Sequence, residues 1–266
     1  DQASVTIADN DWQITTTATE SGTITPLGET IVNTGDNITF DLTWDYAIEA
    51  PAGVVVTTGT VDSAGSGTYT RTLTLNNTST SFSGNWFVDY TASTSDDYAG
   101  LKSGAAGALG TGSVTLDDRA RLINGAANGI NSLSGVTLQK TSSALDLLGS
   151  NAWTNPAATL TAANGTINLG SAASSIGTFA LDSSGTVTLN ADPGGSLAAG
   201  TYTFTQGTLS GTGSFTGSGT ATKTGSGTVF LANSNSFSGG TVIDNGILQA
   251  NANSALGTGK VTIGQT

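Results

Sequence analysis

Two clusters of acidic side chains have the chemistry of a cation site. Asp9-Asn10-Asp11 and Asp96-Asp97 supply the hard oxygen ligands that Ca²⁺ prefers. Neither cluster has the spacing of a defined calcium loop, so plain surface acidity is the alternative interpretation. We expect no catalytic cofactor, and a calcium ion bound by Asp9, Asp11, Asp96 or Asp97 is the candidate metal.

The densest group of charges in the second half of the chain is Asp117-Asp118-Arg119. Polysaccharide lyases and glycosidases need a pair of carboxylates, or a basic side chain beside acids, on one face. Adjacent carboxylates on an extended segment point to opposite faces, so they cannot both flank one bond. We predict a solvated corner here, after the strand-like run Val114-Thr115-Leu116, and no catalytic residue.

The composition removes most other catalytic chemistry. The chain has no His and no Cys, which excludes a cysteine nucleophile, thiolate metal ligands, disulfide bonds and a Ser-His-Asp triad. A Ser/Lys pair would have to be held together in a pocket, and no local motif suggests one. We therefore expect that the protein is not an enzyme.

Four tryptophans could recognise a sugar, because aromatic faces pack against pyranose rings. Trp12, Trp44 and Trp86 lie in the first third of the chain, and Trp153 follows. The alternative, which we favour, is that the tryptophans fill or cap the hydrophobic core at the N-terminal end of the fold.

The charge distribution bears on the choice of partner. The net charge is −12, which opposes binding to phosphate backbones and to anionic lipid surfaces, so neither nucleic acid nor a membrane is expected as a partner. Residues 1–100 hold 13 acidic groups and only Arg71, whereas residues 101–266 hold six acidic and six basic groups. Two of these basic groups, Lys223 and Lys260, lie in Gly- and Thr-rich runs and are predicted to be surface charges.

Short runs rich in β-branched and aromatic residues recur between clusters of Gly, Ser, Asn and Asp, and helix periodicity is almost absent. Examples are residues 37–44, 70–75, 186–189 and 228–231, so the chain is predicted to be all-β. No stretch approaches about 18 consecutive apolar residues, so no membrane-spanning helix is expected. Because the chain has no Met, we interpret Asp1 as the result of processing or excerption, most simply the loss of a secretory signal peptide.

An internal repeat is the most informative feature of the sequence. Ser81-Phe82-Ser83-Gly84 returns as Ser236-Phe237-Ser238-Gly239, and Ala108-Leu109-Gly110-Thr111-Gly112 returns as Ala255-Leu256-Gly257-Thr258-Gly259. Gly and Asn at the ends of short strands can take the left-handed backbone angles of corners, which fits a solenoid whose strands pair from coil to coil. A β-sandwich also has short strands, but it does not require corner sequences that recur in register. We therefore favour the solenoid.

Three separated elements occur in order in the C-terminal copy. They are Thr222-Lys223-Thr224-Gly225-Ser226-Gly227-Thr228, Asn235-Ser236-Phe237-Ser238-Gly239-Gly240-Thr241 and Ala255-Leu256-Gly257-Thr258-Gly259. Together they resemble the autotransporter-associated β-strand repeat, which has a Lys-Thr-Gly-x-Gly-Thr strand, an Asn-x-Tyr/Phe-Ser-Gly-Gly-Thr turn and an Ala-Leu-Gly-x-Gly ending. The resemblance implies a right-handed parallel β-helix in the passenger or stalk of a bacterial surface protein, and it implies no catalytic residues.

The sequence predicts two regions. Residues 1–53 are expected to form an N-terminal β-rich cap, or a small β-sandwich, that acts in assembly. Residues 54–266 are expected to form the parallel β-helix, with two copies of the repeat. Phe82 and Phe237 should then occupy equivalent positions near coil corners.

The leading functional prediction is a secreted structural protein of the bacterial cell surface: an adhesin stalk, a surface coat or a filament subunit. It would self-associate through β-strand pairing, because open sheet edges offer unpaired backbone groups. The acidic N-terminal half and the near-neutral C-terminal half favour head-to-tail contact, which propagates into filaments. The alternative is a β-helix protein that acts on or binds extracellular polysaccharide, which makes surface polysaccharide a second candidate partner.

Overall fold

The computed structural model describes residues 70–76, 83–89 and 98–264, together with the backbone of six short strands that precede residue 58. Five of these strands are β1 (Ser4–Ala8), β2 (Gln13–Thr17), β3 (Gly22–Thr25), β4 (Gly28–Ile31) and β5 (Asp41–Trp44). They pair only with one another and in antiparallel fashion, in the orders β1-β2-β4 and β3-β5. The boundary at residue 53 between a cap and the solenoid stays a prediction.

From the sixth strand onward every pairing is parallel. The strands are β6 (Val54–Thr57), β7 (Thr70–Leu75), β8 (Trp86–Asp89), β9 (Tyr98–Ser103), β10 (Ser113–Leu116), β11 (Ala120–Asn124), β12 (Gly135–Leu138), β13 (Ala144–Leu147), β14 (Thr154–Ala162), β15 (Gly165–Leu169), β16 (Ala173–Ala191), β17 (Ser196–Ser210), β18 (Phe215–Thr216), β19 (Thr220–Lys223), β20 (Thr228–Leu231), β21 (Thr241–Ile243), β22 (Ile247–Ala250) and β23 (Val261–Ile263). Most strands pair with the strand two positions along the chain, as β10 does with β12 and β11 with β13. The chain therefore returns to the same side of the molecule once in every coil.

This pairing produces a parallel β-solenoid of about eight turns, which confirms the predicted all-β solenoid. One sheet, called here the first sheet, runs through β8, β10, β12, β14, the middle of β16, the middle of β17, β19 and β21. The second sheet runs through β9, β11, β13, β15, the end of β16, the end of β17, β20 and β22. No described segment forms a helix of the length and apolar character needed to cross a membrane.

The core lies between the sheets and is built by simple alternation along each strand. In β10 and β19, for example, buried residues alternate with partly exposed ones, as expected where one face of a strand is covered. Equivalent inward residues then stack from turn to turn in columns parallel to the solenoid axis. One such column contains Val114, Val136, Leu160, Phe179, Tyr202 and Ala221, each at most 1% exposed.

The Ala- and Leu-rich stretch 118–133 contains a strand. Residues 120–124 form β11, whose Ala120 and Leu122 are fully buried, and turns follow as far as residue 133. The strand forms because Ala120, Leu122 and Asn124 alternate into the core and pair with neighbouring turns on both sides. Local composition did not reveal this alternation.

Candidate functional site

The predicted calcium ligands lie outside the described residues. Asp9, Asp11, Asp96 and Asp97 are therefore not placed by the structure, and calcium binding there stays a prediction. Within the described part of the chain, no group of three or more acidic, His or Cys side chains is arranged to hold a metal ion.

Asp117, Asp118 and Arg119 form the corner between β10 and β11, as predicted. Asp118 Oδ1 accepts a hydrogen bond of 2.5 Å from Ser142 Oγ on the following turn, and that same Oγ accepts one of 2.9 Å from the amide of Arg119. Asp117 Oδ1 lies 3.6 Å from Lys140 Nζ, also on the following turn. These contacts tie two turns together, so the two carboxylates are engaged with separate structural partners.

Trp86 and Trp153 are both core residues, as the favoured interpretation expects, but Trp153 lies between β13 and β14 in the middle of the solenoid and not at its N-terminal end. Trp86 is 5% exposed and donates its indole N–H to the carbonyl of Leu109 at 2.9 Å, whereas Trp153 is fully buried. Neither ring presents a face on which a sugar could stack. The side chains of Trp12 and Trp44 lie outside the described residues.

Lys223 is fully buried, so the prediction that it is a surface charge is wrong. It follows Ala221 on the inward face of β19, and its Nζ donates to the carbonyl oxygen of Gly225 and, at 3.2 Å, to that of Asn245. Desolvation lowers the pKa of this ammonium group. Lys223 therefore joins equivalent corners of adjacent turns from inside the solenoid, whereas Lys260 is exposed as expected.

Asn235, the first residue of the repeat's turn motif, connects three turns. Its Oδ1 accepts a hydrogen bond of 2.9 Å from the amide of Phe215 on the preceding turn, and its Nδ2 donates to the carbonyl of Ala255 on the following turn at 2.8 Å. The side chain is 3% exposed. An asparagine is suited to this place because its amide can donate and accept at the same time.

Phe237 anchors the same motif in the hydrophobic core. Its ring centroid lies 5.2 Å from that of Tyr202, which in turn lies 4.9 Å from Phe215. All three rings are fully buried. Phe82, the predicted counterpart of Phe237, lies outside the described residues, so their equivalence stays a prediction.

A polar ladder runs across the outer side of the second sheet, and sequence reasoning missed it. Asn190 donates to Asn168 at 3.1 Å, and Asn168 donates to Asp146 at 2.6 Å. The other carboxylate oxygen of Asp146 accepts from Arg121 at 3.3 Å, and the Arg121 guanidinium lies 4.4 Å from the centre of the Tyr98 ring. The shared Asn after an apolar residue in β15 and β16 was the available signal.

Several apolar side chains are exposed on the last described turn. Ile247 is 59% exposed, Val261 43% and Ile263 77%. Among the described strands, β22 pairs only with β20, and β23 pairs only with β21.

The family model of the passenger-associated-transport-repeat matches residues 222–250. These residues include buried Lys223, Asn235 and Phe237, the side chains that connect neighbouring turns. Comparisons with curated proteins and with solved structures found no match. The repeat at 222–250 and the parallel β-solenoid around it fit the autotransporter-associated β-strand repeat family.

Proposed function

We propose that this chain is a structural, non-enzymatic passenger-type region presented outside a bacterial cell. The observation that carries the proposal is the matched repeat, whose buried side chains Lys223, Asn235 and Phe237 hold one turn on the next. Asn235 and Lys223 contact backbone carbonyls, and Phe237 packs in the core. These residues stabilise the fold, as is expected of a rod that must stay folded without cellular chaperones.

The solenoid is suited to work as a stiff spacer, such as an adhesin stalk or a surface coat. Each inner turn is hydrogen-bonded to both neighbours along two sheets. Few backbone groups therefore remain unpaired for a protease to bind as an extended strand. The aromatic rings of Phe179, Tyr202 and Phe215 fill the interior without exposure. Such a rod would hold another part of a surface protein at a fixed distance.

Self-association is the finer part of the proposal. Strands of a solenoid can pair with strands of another chain, and the exposed aliphatic side chains of Ile247, Val261 and Ile263 would gain from burial in such a contact. The acidic excess in residues 1–100 opposes contact between like ends. Copies should therefore join head to tail.

The test is assembly of the purified 266-residue chain, followed by analytical ultracentrifugation and electron microscopy over a range of concentrations. Polymers that lengthen with concentration are expected, and the double variant Ile247→Lys/Ile263→Lys should remain monomeric. Leu148→Lys is the matched control, because Leu148 is 47% exposed but lies away from the last turn. A wild-type chain that stays monomeric, or that cleaves acidic polysaccharides, would contradict the proposal and favour the carbohydrate-active alternative.

A further inference from the structure

Two rows of threonine side chains lie on the outer side of the first sheet. The row nearer the start of the strands contains Thr159, Thr178, Thr201 and Thr220; the second contains Thr115, Thr137, Thr161, Thr203 and Thr222, with Ala180 between Thr161 and Thr203. These nine threonines and Ala180 are called here the threonine face. The proposed structural role does not use this face.

The rows are in continuous register. Thr159 pairs with Thr178, Thr178 with Thr201, and Thr201 with Thr220, while the second row pairs in the same way. Neighbouring strands in a sheet are about 4.8 Å apart, and alternate residues of one strand are about 6.6 Å apart. The hydroxyl and methyl groups therefore form a two-dimensional array with two fixed repeat distances.

The array is held rigidly from behind. The residues between the two rows are Leu160, Phe179, Tyr202 and Ala221, and all four are fully buried. Phe179 and Tyr202 both pack on Phe215, with ring centroids 4.7 Å and 4.9 Å apart. Close packing fixes the strands, and β-branching restricts the threonine side chains to few rotamers.

The threonine face is uncharged, and its hydroxyl groups are available to a ligand. The protein as a whole has a net charge of −12, yet none of these ten positions holds an ionisable side chain. Within the described part of the chain, Thr220 alone of the nine threonines donates its hydroxyl to the protein, to the carbonyl of Gly239 at 3.1 Å. The complementary ligand is neutral, periodic, and able to donate and accept hydrogen bonds at each repeat.

We propose that the threonine face binds the surface of ice. The two repeat distances are close to those between oxygen atoms on the prism face of hexagonal ice, and each hydroxyl can both donate to and accept from water. Because the side chains are already ordered, binding costs little conformational entropy, and many weak contacts act together. The threonine methyl groups would lie between ordered water molecules.

A neutral polysaccharide fits this face less well. Sugar rings are held by stacking on exposed aromatic rings, and the four strand segments from Thr159 to Thr222 carry their aromatic residues, Phe179 and Tyr202, on the inward side. The outer side of the second sheet lacks the array altogether, because Arg121, Asp146 and Phe230 interrupt its threonines. That side supplies a control surface on the same molecule.

The experiment compares ice binding by the dilute, monomeric wild-type chain with that of surface variants. Thermal hysteresis, ice-crystal shape and capture of fluorescently labelled protein in a growing ice hemisphere are measured. Thr201→Tyr/Thr203→Tyr should lose all three, because two rings in the middle of the array prevent close approach. Thr186→Tyr/Thr188→Tyr, which places the same rings on the outer side of the second sheet, should retain them.

Far-UV circular dichroism and thermal unfolding establish that each variant is folded, and Thr178→Lys is a second array variant in case the double variant is not. The proposal is overturned if the wild-type chain neither shapes ice nor is captured by it. It is also overturned if both double variants lose capture equally, or if the array mediates binding to chitin or cellulose and not to ice. Because the assay uses monomer, its outcome is independent of whether the chain polymerises.

Discussion

Gly110 and Gly257 adopt the same left-handed backbone conformation, with φ of 75° and 74°, in the two copies of the Ala-Leu-Gly-Thr-Gly sequence. In each copy the glycine amide donates to the carbonyl three residues earlier, at 3.0 Å to Gly107 and 2.9 Å to Ser254. The preceding alanines, Ala108 and Ala255, are each 1% exposed. The repeated sequence therefore encodes a repeated corner.

Replacement of Gly257 by Ala should destabilise the solenoid more than the same change at Gly149. A left-handed backbone costs a non-glycine residue about 1–2 kcal/mol, and both glycines have positive φ. At Gly257, however, the new Cβ would lie 2.3 Å from the carbonyl oxygen of Phe237, whereas nothing lies within 4 Å at Gly149. We expect Gly257→Ala to lose about 1–3 kcal/mol beyond the Gly149→Ala value, because of overpacking.

Urea unfolding of both variants measures this difference. Equal losses at the two positions would show that backbone conformation alone explains the glycine in the repeat. The contact between the Ala-Leu-Gly-Thr-Gly corner and the preceding turn would then contribute nothing to stability.

Asn235→Ala should be among the most destabilising changes to a polar residue of the repeat. It would leave the amide of Phe215 and the carbonyl of Ala255 without their partner, at about 1–3 kcal/mol for each buried group left unpaired. Asn253→Ala is the control, because Asn253 is exposed on the following turn and should change the free energy of unfolding by less than about 0.5 kcal/mol. Similar denaturant midpoints for the two variants would contradict the connecting role of Asn235.

Strand positions could be predicted from the sequence wherever Val, Leu or Phe alternates with Thr. Residues 186–189 and 228–231 satisfy this pattern and lie in β16 and β20, with Val187 and Leu189 buried and Thr186 and Thr188 outward. The same parity places Lys223 inside, because it stands two residues after Ala221. A lone lysine was predicted to be exposed because burial of an ammonium group is costly, but the carbonyls of Gly225 and Asn245 compensate for that cost.

A further copy of the repeated turn could not be recognised by identity. Residues 126–130 form the same turn as 105–109 and 252–256, and Asn128 has φ of 59°, as Ser254 does. Gly129-Ile130 stands there in place of Ala-Leu. The backbone conformation is retained because Asn tolerates left-handed angles. The residue identities by which the motif is recognised are not retained.

The threonine face could not be recognised in the sequence because the lengths of successive turns vary. The threonine face depends on which residues of successive turns pair, and Thr137 pairs with Thr161 whereas Thr203 pairs with Thr222. No fixed period in the sequence aligns both pairs. Register had to be known before the rows could be seen.

Ionisation of the buried Tyr202 hydroxyl should reduce the stability of the protein at alkaline pH. Burial is the main factor that raises its pKa from 10.0 to about 12, and its hydroxyl accepts from the amide of Ala199 at 2.9 Å and donates to the carbonyl of Thr216 at 2.5 Å. Because the folded pKa is higher than the unfolded one, this stabilisation is present below pH 10.0 and is lost as the pH rises to about 12. The free energy of unfolding should fall by about 2–3 kcal/mol over this interval.

Tyr202→Phe removes that component, so its stability should fall less steeply than that of the wild type between the two pKa values. The variant also loses the hydrogen bonds of the hydroxyl group, which lowers its stability at neutral pH by about 1–3 kcal/mol. Urea unfolding of both proteins at a series of pH values gives the two slopes. Parallel slopes would refute the assignment to Tyr202.

Lys223 should act in the opposite direction. Desolvation lowers its pKa below the ordinary value of 10.5, so the folded state releases the proton more readily than the unfolded state does. The free energy of unfolding therefore rises as the pH increases from the folded pKa of Lys223 to 10.5. The same contribution is lost when the pH falls back to the folded pKa. Lys223→Met keeps a long side chain in the core but cannot titrate.

The free-energy difference between wild type and Lys223→Met should consequently shift in favour of the wild type as the pH is raised toward 10.5. Lys260→Met is the control, because Lys260 is exposed on a neighbouring turn, and its difference from wild type should not show this rise. At neutral pH, Lys223→Met leaves the carbonyls of Gly225 and Asn245 without their donor but also removes a buried charge. The decisive observation is therefore how this free-energy difference, measured by urea unfolding, changes with pH. If the difference between wild type and Lys223→Met does not change with pH, the ammonium group is hydrated in the folded protein.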